Sequence, residues 1–178
     1  MQKVKVKITG EQLMQDRIPI EWIEQTKQGG KRKTDSWQVP MEYLIHRNGG
    51  KEPCIPSECI TRSILEAAKR FDPDRGKGNA VKEVAGGFHV QQGMIPYTYE
   101  TTSEFTRMVR RKDGNRISKT NPVYYNWSCD FDLLLADWFN IDKAKSILEE
   151  AGELIGIMGW RIALRGSFGG FKVEKFKV

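Results

Sequence analysis

Apolar and polar residues alternate with a period of two along residues 123–137, which predicts a long strand. The odd positions from Val123 to Leu135 carry aromatic and aliphatic side chains, and the even positions up to Asp132 are mostly polar. Because successive side chains of a strand point to opposite faces, this pattern predicts one buried and one open face. Residues 3–8 alternate in the same way, with lysines on the polar side, and predict a second half-buried strand. Its lysine row is either solvated, which is the favoured interpretation, or lies near an anion.

Two other stretches show the period of an amphipathic helix, residues 57–71 and 140–155. Ser57 is the predicted cap of the first helix and Asn140 that of the second. Gly156 is expected to end the second helix. The predicted inner stripes are Ile60, Ile64, Ala67, Ala68 and Phe71 in the first helix and Ile141, Ala144, Ile147, Leu148, Ala151 and Ile155 in the second.

The remaining stretches complete an α+β pattern. The order strand, helix, strand, strand, helix, strand is the βαββαβ arrangement of a ferredoxin-like fold, an antiparallel sheet with two helices on one face. We therefore expect a single domain over residues 1–178, with insertions at about residues 11–53 and 100–121. The other predicted segments are a strand over 3–8 that ends at Gly10, a loop over 72–83, a strand or hairpin over 87–99, a β-arm over 101–121, and a last strand over 171–178 that either contains a bulge or leaves the sheet.

Charge and cysteine content narrow the functional classes. The chain has a net charge of +6, which favours an anionic partner and does not bear on the fold. Its three cysteines are an odd number, and Cys129 is predicted to point inward, which suits a reducing compartment. No segment approaches the ~20 apolar residues of a membrane span, and the first residues do not resemble a signal peptide. We expect a cytoplasmic protein of a bacterium or of a phage-infected cell, with no membrane partner.

A glycine-rich stretch at residues 156–170 is the first candidate site for an anion. Glycine permits a close approach of backbone to a phosphate, and Arg161, Arg165 and the following Lys172 supply positive charge. The alternative is a flexible connection built of ordinary glycines. The glycines predicted to take part in binding are Gly166, Gly169 and Gly170.

Two basic segments are the next candidates. Such runs are most often solvated surface, but they are also suited to contact a nucleic-acid backbone. Trp37 and Phe105 lie nearby in the sequence, where they could stack on bases. The basic residues predicted to bind nucleic acid are Lys31, Arg32 and Lys33 in the first segment and Arg107, Arg110 and Arg111 in the second.

His46 is the candidate for catalysis. It lies between the first strand and the first helix, and an imidazole is suited to proton transfer near neutral pH. The alternative, which we favour, is an exposed loop histidine without a catalytic role.

Acidic and sulfur side chains raise the question of a metal. Asp130 and Asp132 point the same way from one strand and could hold Mg²⁺, but pairing with a nearby Lys or Arg is the favoured interpretation. Cys54 and Cys59 lack the close spacing of a usual zinc pair, so we expect buried or half-buried thiols. The sequence predicts neither a metal nor a cofactor.

Three segments resemble the RAMP superfamily of CRISPR-associated RNA-binding proteins. Residues 55–64 (IPSECITRSI) are similar to the family's proline-led entry to its first helix, residues 141–155 to its second helix, and residues 156–171 to its glycine-rich loop. The ending at residues 170–176 (GFKVEKF) is also similar to short phage proteins. The resemblance implies RNA binding by ferredoxin-like sheets inside a multi-subunit ribonucleoprotein. Processing members of the family cut RNA without metal, often with a histidine before or within the first helix, a position that His46 fits.

Three functional hypotheses follow. The first is a non-catalytic nucleic-acid-binding protein of RAMP-like fold, which binds single-stranded RNA and associates with ribonucleoprotein subunits or with itself. The second is a metal-independent endoribonuclease that uses His46. The third is a phage protein-interaction factor that acts on a host RNA-guided complex. The first is favoured, so we do not expect an enzyme.

Overall fold

In a computed structural model, the chain adopts an α+β fold with antiparallel sheets. The structure describes residues 1–18, 20–25, 27–28, 31–32, 39–71, 79–110 and 114–178, and only the backbone at residues 25, 27, 28, 31, 32 and 79. No helix in these ranges is long and apolar enough to cross a membrane.

The elements follow the chain in a mixed order. The strands are β1 (Gln2–Met14), β2 (Lys27–Gln28), β3 (Lys31–Arg32), β4 (Cys54–Pro56), β5 (Phe88–Val90), β6 (Met94–Pro96), β7 (Thr101–Arg110), β8 (Arg116–Leu135) and β9 (Lys172–Lys177). The α-helices are α1 (Ile20–Gln25), α2 (Ser57–Ala68), α3 (Asn79–Gly87) and α4 (Ile141–Glu150). Short 3₁₀ turns cover Met41–Leu44, Lys69–Phe71 and Ile162–Leu164, and a π-helical turn, Ala151–Ile155, continues α4.

The main sheet is organised around β8. One edge of β8 pairs with β1, while its other edge pairs first with β7 and then, at its last residues, with β5. β9 pairs with the other side of β1, so the strand order is β5, β8, β1, β9, and every pair is antiparallel. The long strand predicted at residues 123–137 is present but ends at Leu135, and it begins earlier, at Arg116, because the arm that precedes it continues into it without a break.

The core lies between one face of this sheet and the helices. The apolar residues of β1 (Val4, Val6 and Ile8) are buried together with Phe131 and Leu133 of β8. Most residues of the predicted inner stripes join the same cluster as buried residues. Phe71 is only partly buried and packs against the cluster, and Ile141 is half-buried and lies outside it. This burial explains the alternation in the sequence, because it removes one row of side chains from water and leaves the other exposed.

Near Asn126, β1 and β8 both turn over, so that side chains of the opposite face point to the main core from there on. Asn126 has a left-handed backbone, with φ of 50°. On the N-terminal side of Asn126, Tyr124 belongs to the main core whereas Val123 does not. The prediction that Val123, Tyr125 and Trp127 form one row is therefore wrong. A single irregular residue is enough to invert the faces of a strand. A second cluster forms here from Met14, Val123 and Phe168, with Phe105, Tyr125 and Trp160 packed against it.

β1 runs past Gly10, where the sequence predicted its end, and continues to Met14. A Cβ atom at Gly10 would lie 2.4 Å from the Gly170 carbonyl oxygen and 2.6 Å from the Trp127 ring. Glycine is therefore required at this position by close packing rather than by a turn. The first residues of the predicted insertion at 11–53 belong to the sheet.

The region between α2 and the arm also differs from prediction. Residues 79–83, predicted as loop, belong to α3. β5 and β6 do not form the predicted hairpin, because β5 pairs with β8 and β6 pairs with β4. Local sequence patterns do not specify which distant strand a short strand will join.

The helix ends agree with prediction at two of three positions. Asn140 caps α4, since its Oδ1 accepts a hydrogen bond of 2.9 Å from the Lys143 backbone N–H. Gly156, with φ of 72°, ends the π-helical turn. Ser57 is not a cap: it is the first residue of α2, and Pro56 occupies the cap position without a side-chain hydrogen bond.

Candidate nucleic-acid interface

The face of the main sheet that is turned away from the core carries a block of lysines, which we call the lysine face. Its members are Lys3, Lys5, Lys7, Lys172, Lys175 and Lys177. Lys5 lies directly opposite Lys177 on the neighbouring strand, and Lys7 lies directly opposite Lys175. Directly opposed Cβ atoms are about 4.5–5.5 Å apart, so these like charges repel each other. The fold therefore holds positive charge together along β1 and β9, while Asp132 and Asp130 of β8 lie opposite Lys5 and Lys7 on the other side of β1.

A register shift in β9 produces this alignment. The shift lies between the partners of Lys7 and Ile8, where Glu174 is the extra residue, and it confirms the predicted bulge in the last strand. Glu174 binds the Lys7 Nζ at 2.6 Å. This hydrogen bond raises the pKa of Lys7 and lowers the pKa of Glu174. Lys7 is thus already engaged by a carboxylate.

Only part of the lysine face is neutralised. Lys3 pairs with Asp132 at 2.9 Å, as the favoured interpretation of Asp132 predicted. Asp130 is exposed on the same face and raises the pKa of Lys7, after the larger effect of Glu174. Within the part of the chain that the structure describes, four of the six lysines form no ion pair, namely Lys5, Lys172, Lys175 and Lys177.

The glycine-rich loop at residues 156–170 packs tightly against the rest of the fold. The Gly169 N–H donates to the Gln12 carbonyl at 2.8 Å, and the Ile157 N–H donates to the Gly169 carbonyl at 2.9 Å. A Cβ atom at Gly166 would lie 1.6 Å from the Trp160 carbonyl oxygen. These glycines admit a close approach of protein backbone, so the alternative of a flexible connection does not describe the loop. The predicted role of Gly166, Gly169 and Gly170 toward a phosphate stays a prediction.

The loop also holds residues other than glycine in left-handed backbone. Met158, Trp160 and Arg165 have φ angles of 65°, 41° and 59°. Such conformations are unfavourable for residues with a Cβ atom and persist only where the surroundings impose them. The tertiary packing of the loop therefore fixes where its arginines point.

The two loop arginines have different environments. Arg161 is 12% exposed and its Nη2 binds the Glu66 carboxylate of α2 at 2.7 Å. Arg165 is exposed, beside the exposed Leu164. Arg161 thus ties the loop to a helix, whereas Arg165 and Lys172 present their charges to solvent.

The pair between Arg161 and Glu66 is expected to stabilise the fold rather than to bind nucleic acid. Arg161→Met and Glu66→Gln should each lower the free energy of unfolding by about 1–2 kcal/mol, because each leaves a partly buried partner unpaired. Urea unfolding of both single variants and of the double variant should give a clearly non-additive cycle. Additive losses, or a loss of nucleic-acid affinity in Arg161→Met without a loss of stability, would instead support the predicted contact of Arg161.

The predicted β-arm is formed by β7 and the first part of β8. Its Arg107 guanidinium lies 4.9 Å from the centre of the Trp160 ring. The centre of the Phe105 ring lies 5.4 Å from the centre of the same Trp160 ring. Phe105, predicted to stack on bases, therefore already contacts a protein ring. Arg110 is exposed, and Lys119 pairs with Asp16 at 2.6 Å. The arm offers Arg110 to a partner and uses Arg107 and Lys119 in its own packing.

Several predicted basic residues are not placed by the structure. Lys33 and Arg111 lie outside the described residues, and so does Trp37. Lys31 and Arg32 form β3, where only the backbone is described. Their predicted contacts with nucleic acid remain predictions.

His46 follows the turn at Met41–Leu44 and is half-buried. Its backbone N–H donates to the Gln15 Oε1 at 3.1 Å, and its carbonyl accepts from the Cys54 N–H at 2.8 Å. Burial, followed by the charge of Arg17, lowers the pKa of His46. The lowered pKa favours the neutral imidazole. Its catalytic role stays a prediction.

The fully buried Gln15 organises the segment around His46 and was not identified from the sequence. Its Nε2 donates to the Cys54 carbonyl and to the Tyr97 hydroxyl, both at 3.0 Å. A buried amide that satisfies its partners in this way fixes the path of a long connection. No periodic pattern marks such a residue.

The cysteines are free thiols. Cys54 and Cys129 are buried and Cys59 is half-buried, as predicted. Burial raises the pKa of Cys129 to about 12, so this thiol is not reactive at neutral pH. Among the described residues, no group of three or more His, Cys, Asp or Glu side chains could hold a metal ion.

The sequence contains the lysines of the lysine face but does not reveal that they are aligned. The alternation at residues 3–7 is visible, whereas its register against β9 depends on the bulge at Glu174. The unpaired lysines of the lysine face, the exposed Arg110 and the exposed Arg165 are among the basic groups that the fold leaves available. No protein-family model matches the chain, and no curated protein sequence matches it either.

Proposed function

We propose that this protein binds a single-stranded nucleic acid, with RNA as the expected polymer, and that the lysine face holds its phosphates. The observation that carries the proposal is the opposition of Lys5 to Lys177 and of Lys7 to Lys175 across β1 and β9. Like charges directly opposite each other cost stability in a sheet. A bound polyanion removes this cost, which gives the arrangement a reason.

The spacing of the lysines suits a chain of phosphates. Side chains two residues apart on a strand are separated by about 6.6 Å, and neighbouring strands lie about 4.8 Å apart. Lys5 and Lys7 on one strand and Lys175 and Lys177 on the next therefore form two short parallel rows. Arg165 in the glycine-rich loop and Arg110 at the end of β7 add exposed positive charge outside these two rows.

A ferredoxin-like fold and RAMP membership belong to the same proposal. The strand order β5, β8, β1, β9 supports it, with α2 between β1 and β5 in the chain and α4 between β8 and β9. The family resemblance of residues 55–64 and 141–171 supports it as well. Assembly with other ribonucleoprotein subunits is the partner that this membership implies.

Binding of a fluorescent 12-nucleotide oligouridine, followed by anisotropy at several salt concentrations, tests the proposal. If about four lysines contact phosphates, the logarithmic salt slope is about −2.8, and the affinity should fall about 50-fold between 50 and 200 mM salt. Lys69→Gln, which removes an exposed charge at the end of α2, is the control and should leave the slope unchanged.

Absence of binding at low salt, together with purified protein that carries no nucleic-acid absorbance, would contradict the proposal. A salt-independent affinity would contradict the assignment of the lysine face to phosphate. Cleavage of the oligouridine that disappears in His46→Ala would establish an endoribonuclease in place of a binding protein.

A further inference from the structure

A cleft of about 1150 Å³ opens where β9 stops pairing with β1. The glycine-rich loop crosses β1 here, with the Gly170 carbonyl against Gly10. The cleft touches the lysine face at Lys7 and Lys172. A strand held on that face would therefore pass its opening.

Trp127 lines this cleft and has an unused hydrogen-bond donor. The residue is 1% exposed, and its Nε1–H has no acceptor among the described residues. The edge of the indole that bears Nε1 lies against Gly10, which also lines the cleft. A buried tryptophan N–H usually has a partner, because a buried donor without an acceptor costs free energy. The unused N–H points to a ligand with an acceptor.

The charges around the cleft do not suit a phosphate. Glu11, Glu149 and Glu153 line it, against Lys7 and Lys172. Two of these charges are already paired, because Lys7 binds Glu174 and the Glu149 Oε1 lies 3.7 Å from the Lys145 Nζ. The remaining charges are two carboxylates and one ammonium, a combination that favours a neutral polar group over an anion.

The uncharged lining supplies hydrogen bonds of both kinds. Thr9, Gln12, Asn126 and Ser128 bring hydroxyl and amide groups to the cleft. Such groups, and the carboxylates, match the N–H and carbonyl groups of a nucleobase and the hydroxyls of a ribose.

We propose that the cleft takes one nucleoside unit of the bound strand, with the Trp127 N–H donating to a base carbonyl. This inference rests on the proposed function, since the lysine face would hold the phosphates while the cleft reads one base and its ribose. Phosphate contacts with the lysine face do not depend on the identity of the bases. The cleft adds a contact with one base.

Proton–nitrogen NMR of the five tryptophan indoles gives a direct test. Trp127→Phe identifies the Trp127 signal by its loss. The 12-nucleotide oligouridine should move this signal downfield, because the N–H gains an acceptor. An abasic 12-mer with the same phosphates should bind the lysine face and leave the signal in place. If Trp127→Phe does not fold, replacing the other tryptophans in turn identifies the signal by elimination.

The affinities give a second test. Oligouridine should bind about 5-fold more tightly than the abasic strand, the value expected for one additional hydrogen bond. Trp127→Phe should remove this difference and leave the affinity for the abasic strand unchanged. A Trp127 signal that stays in place when oligouridine binds, or that moves equally with the abasic strand, overturns the proposal.

Failure of the lysine face is distinguishable from failure of the cleft. If neither 12-mer binds, uridine at millimolar concentration replaces them as the probe. A shift of the Trp127 signal with uridine supports the cleft even though the lysine face has failed, and the absence of a shift overturns the cleft as well.

Discussion

Lys5→Glu and Lys177→Glu together are expected to weaken oligouridine binding by about 100-fold or more at low salt. The double substitution removes two phosphate contacts and places two carboxylates in the path of a polyanion, and like-charge contacts at an interface cost several kcal/mol. Anisotropy titrations of the variant and of the parent protein measure the loss. Lys69→Glu with Lys82→Glu, which makes the same charge change at two exposed helix lysines, is the matched control and should bind like the parent.

The single substitutions should separate binding from stability. Lys177→Glu replaces a like-charge pair with an opposite-charge pair against Lys5, so it should raise the free energy of unfolding by about 0.5–1 kcal/mol while it weakens binding. Lys5→Glu should also weaken binding, but its new carboxylate lies opposite Asp132 of β8 as well as Lys177, so its stability should stay close to that of the parent. The double variant places its two new carboxylates beside Asp132 and should be less stable than the parent by about 0.5–1 kcal/mol.

Opposite signs for stability and affinity are characteristic of a surface that is kept for binding. Lower stability in Lys177→Glu would show that Lys5 and Lys177 do not repel each other in the folded protein. Parent-like affinity in the double variant would remove the lysine face from the proposed function.

Local periodicity predicted the main elements because burial on one side selects it directly. Most residues of the apolar rows of β1 and β8 and of the inner stripes of α2 and α4 meet in one core, and each row or stripe was visible as a period of two or 3.6. The cap at Asn140 and the glycine stop at Gly156 were predictable for the same reason, since they depend only on neighbouring residues.

Long-range register was not predictable from these patterns. The inversion of faces at Asn126 and the bulge at Glu174 each arise from one residue whose conformation is set by a distant strand. The pairing of β5 with β8, and of β6 with β4, likewise depends on partners far along the chain. The lysine face is a product of register, so the sequence contains its residues without showing their alignment.

Positive charge alone did not identify which arginines are available. Arg161 and Arg165 have equal standing in the sequence of the glycine-rich loop, but only Arg161 has Glu66 within reach. The difference depends on the packing of the loop against α2. The role of the loop glycines was not predictable from the sequence for the same reason, because the contacts that require them come from backbone elsewhere in the fold.

Gly169→Ala is expected to have the largest effect on stability of any single substitution considered, a loss of about 2–6 kcal/mol. Gly169 has φ of 75°, which costs a residue with a Cβ atom about 1–3 kcal/mol. The added Cβ would also lie 1.9 Å from the Ile157 carbonyl oxygen, so backbone must move, and overpacking of this kind costs a further 1–3 kcal/mol or so. Urea unfolding monitored by tryptophan fluorescence measures the loss.

Gly86→Ala is the matched control, because it makes the same chemical change where the fold leaves room. Gly86 lies in α3, and a Cβ atom there would meet nothing within 4 Å. Alanine favours a helix over glycine by about 0.5–1 kcal/mol, so this variant should be slightly more stable than the parent. If Gly169→Ala were as stable as Gly86→Ala, the loop would have to relax away from Ile157. In that case its glycines would be free for the contact with a phosphate that the sequence first suggested.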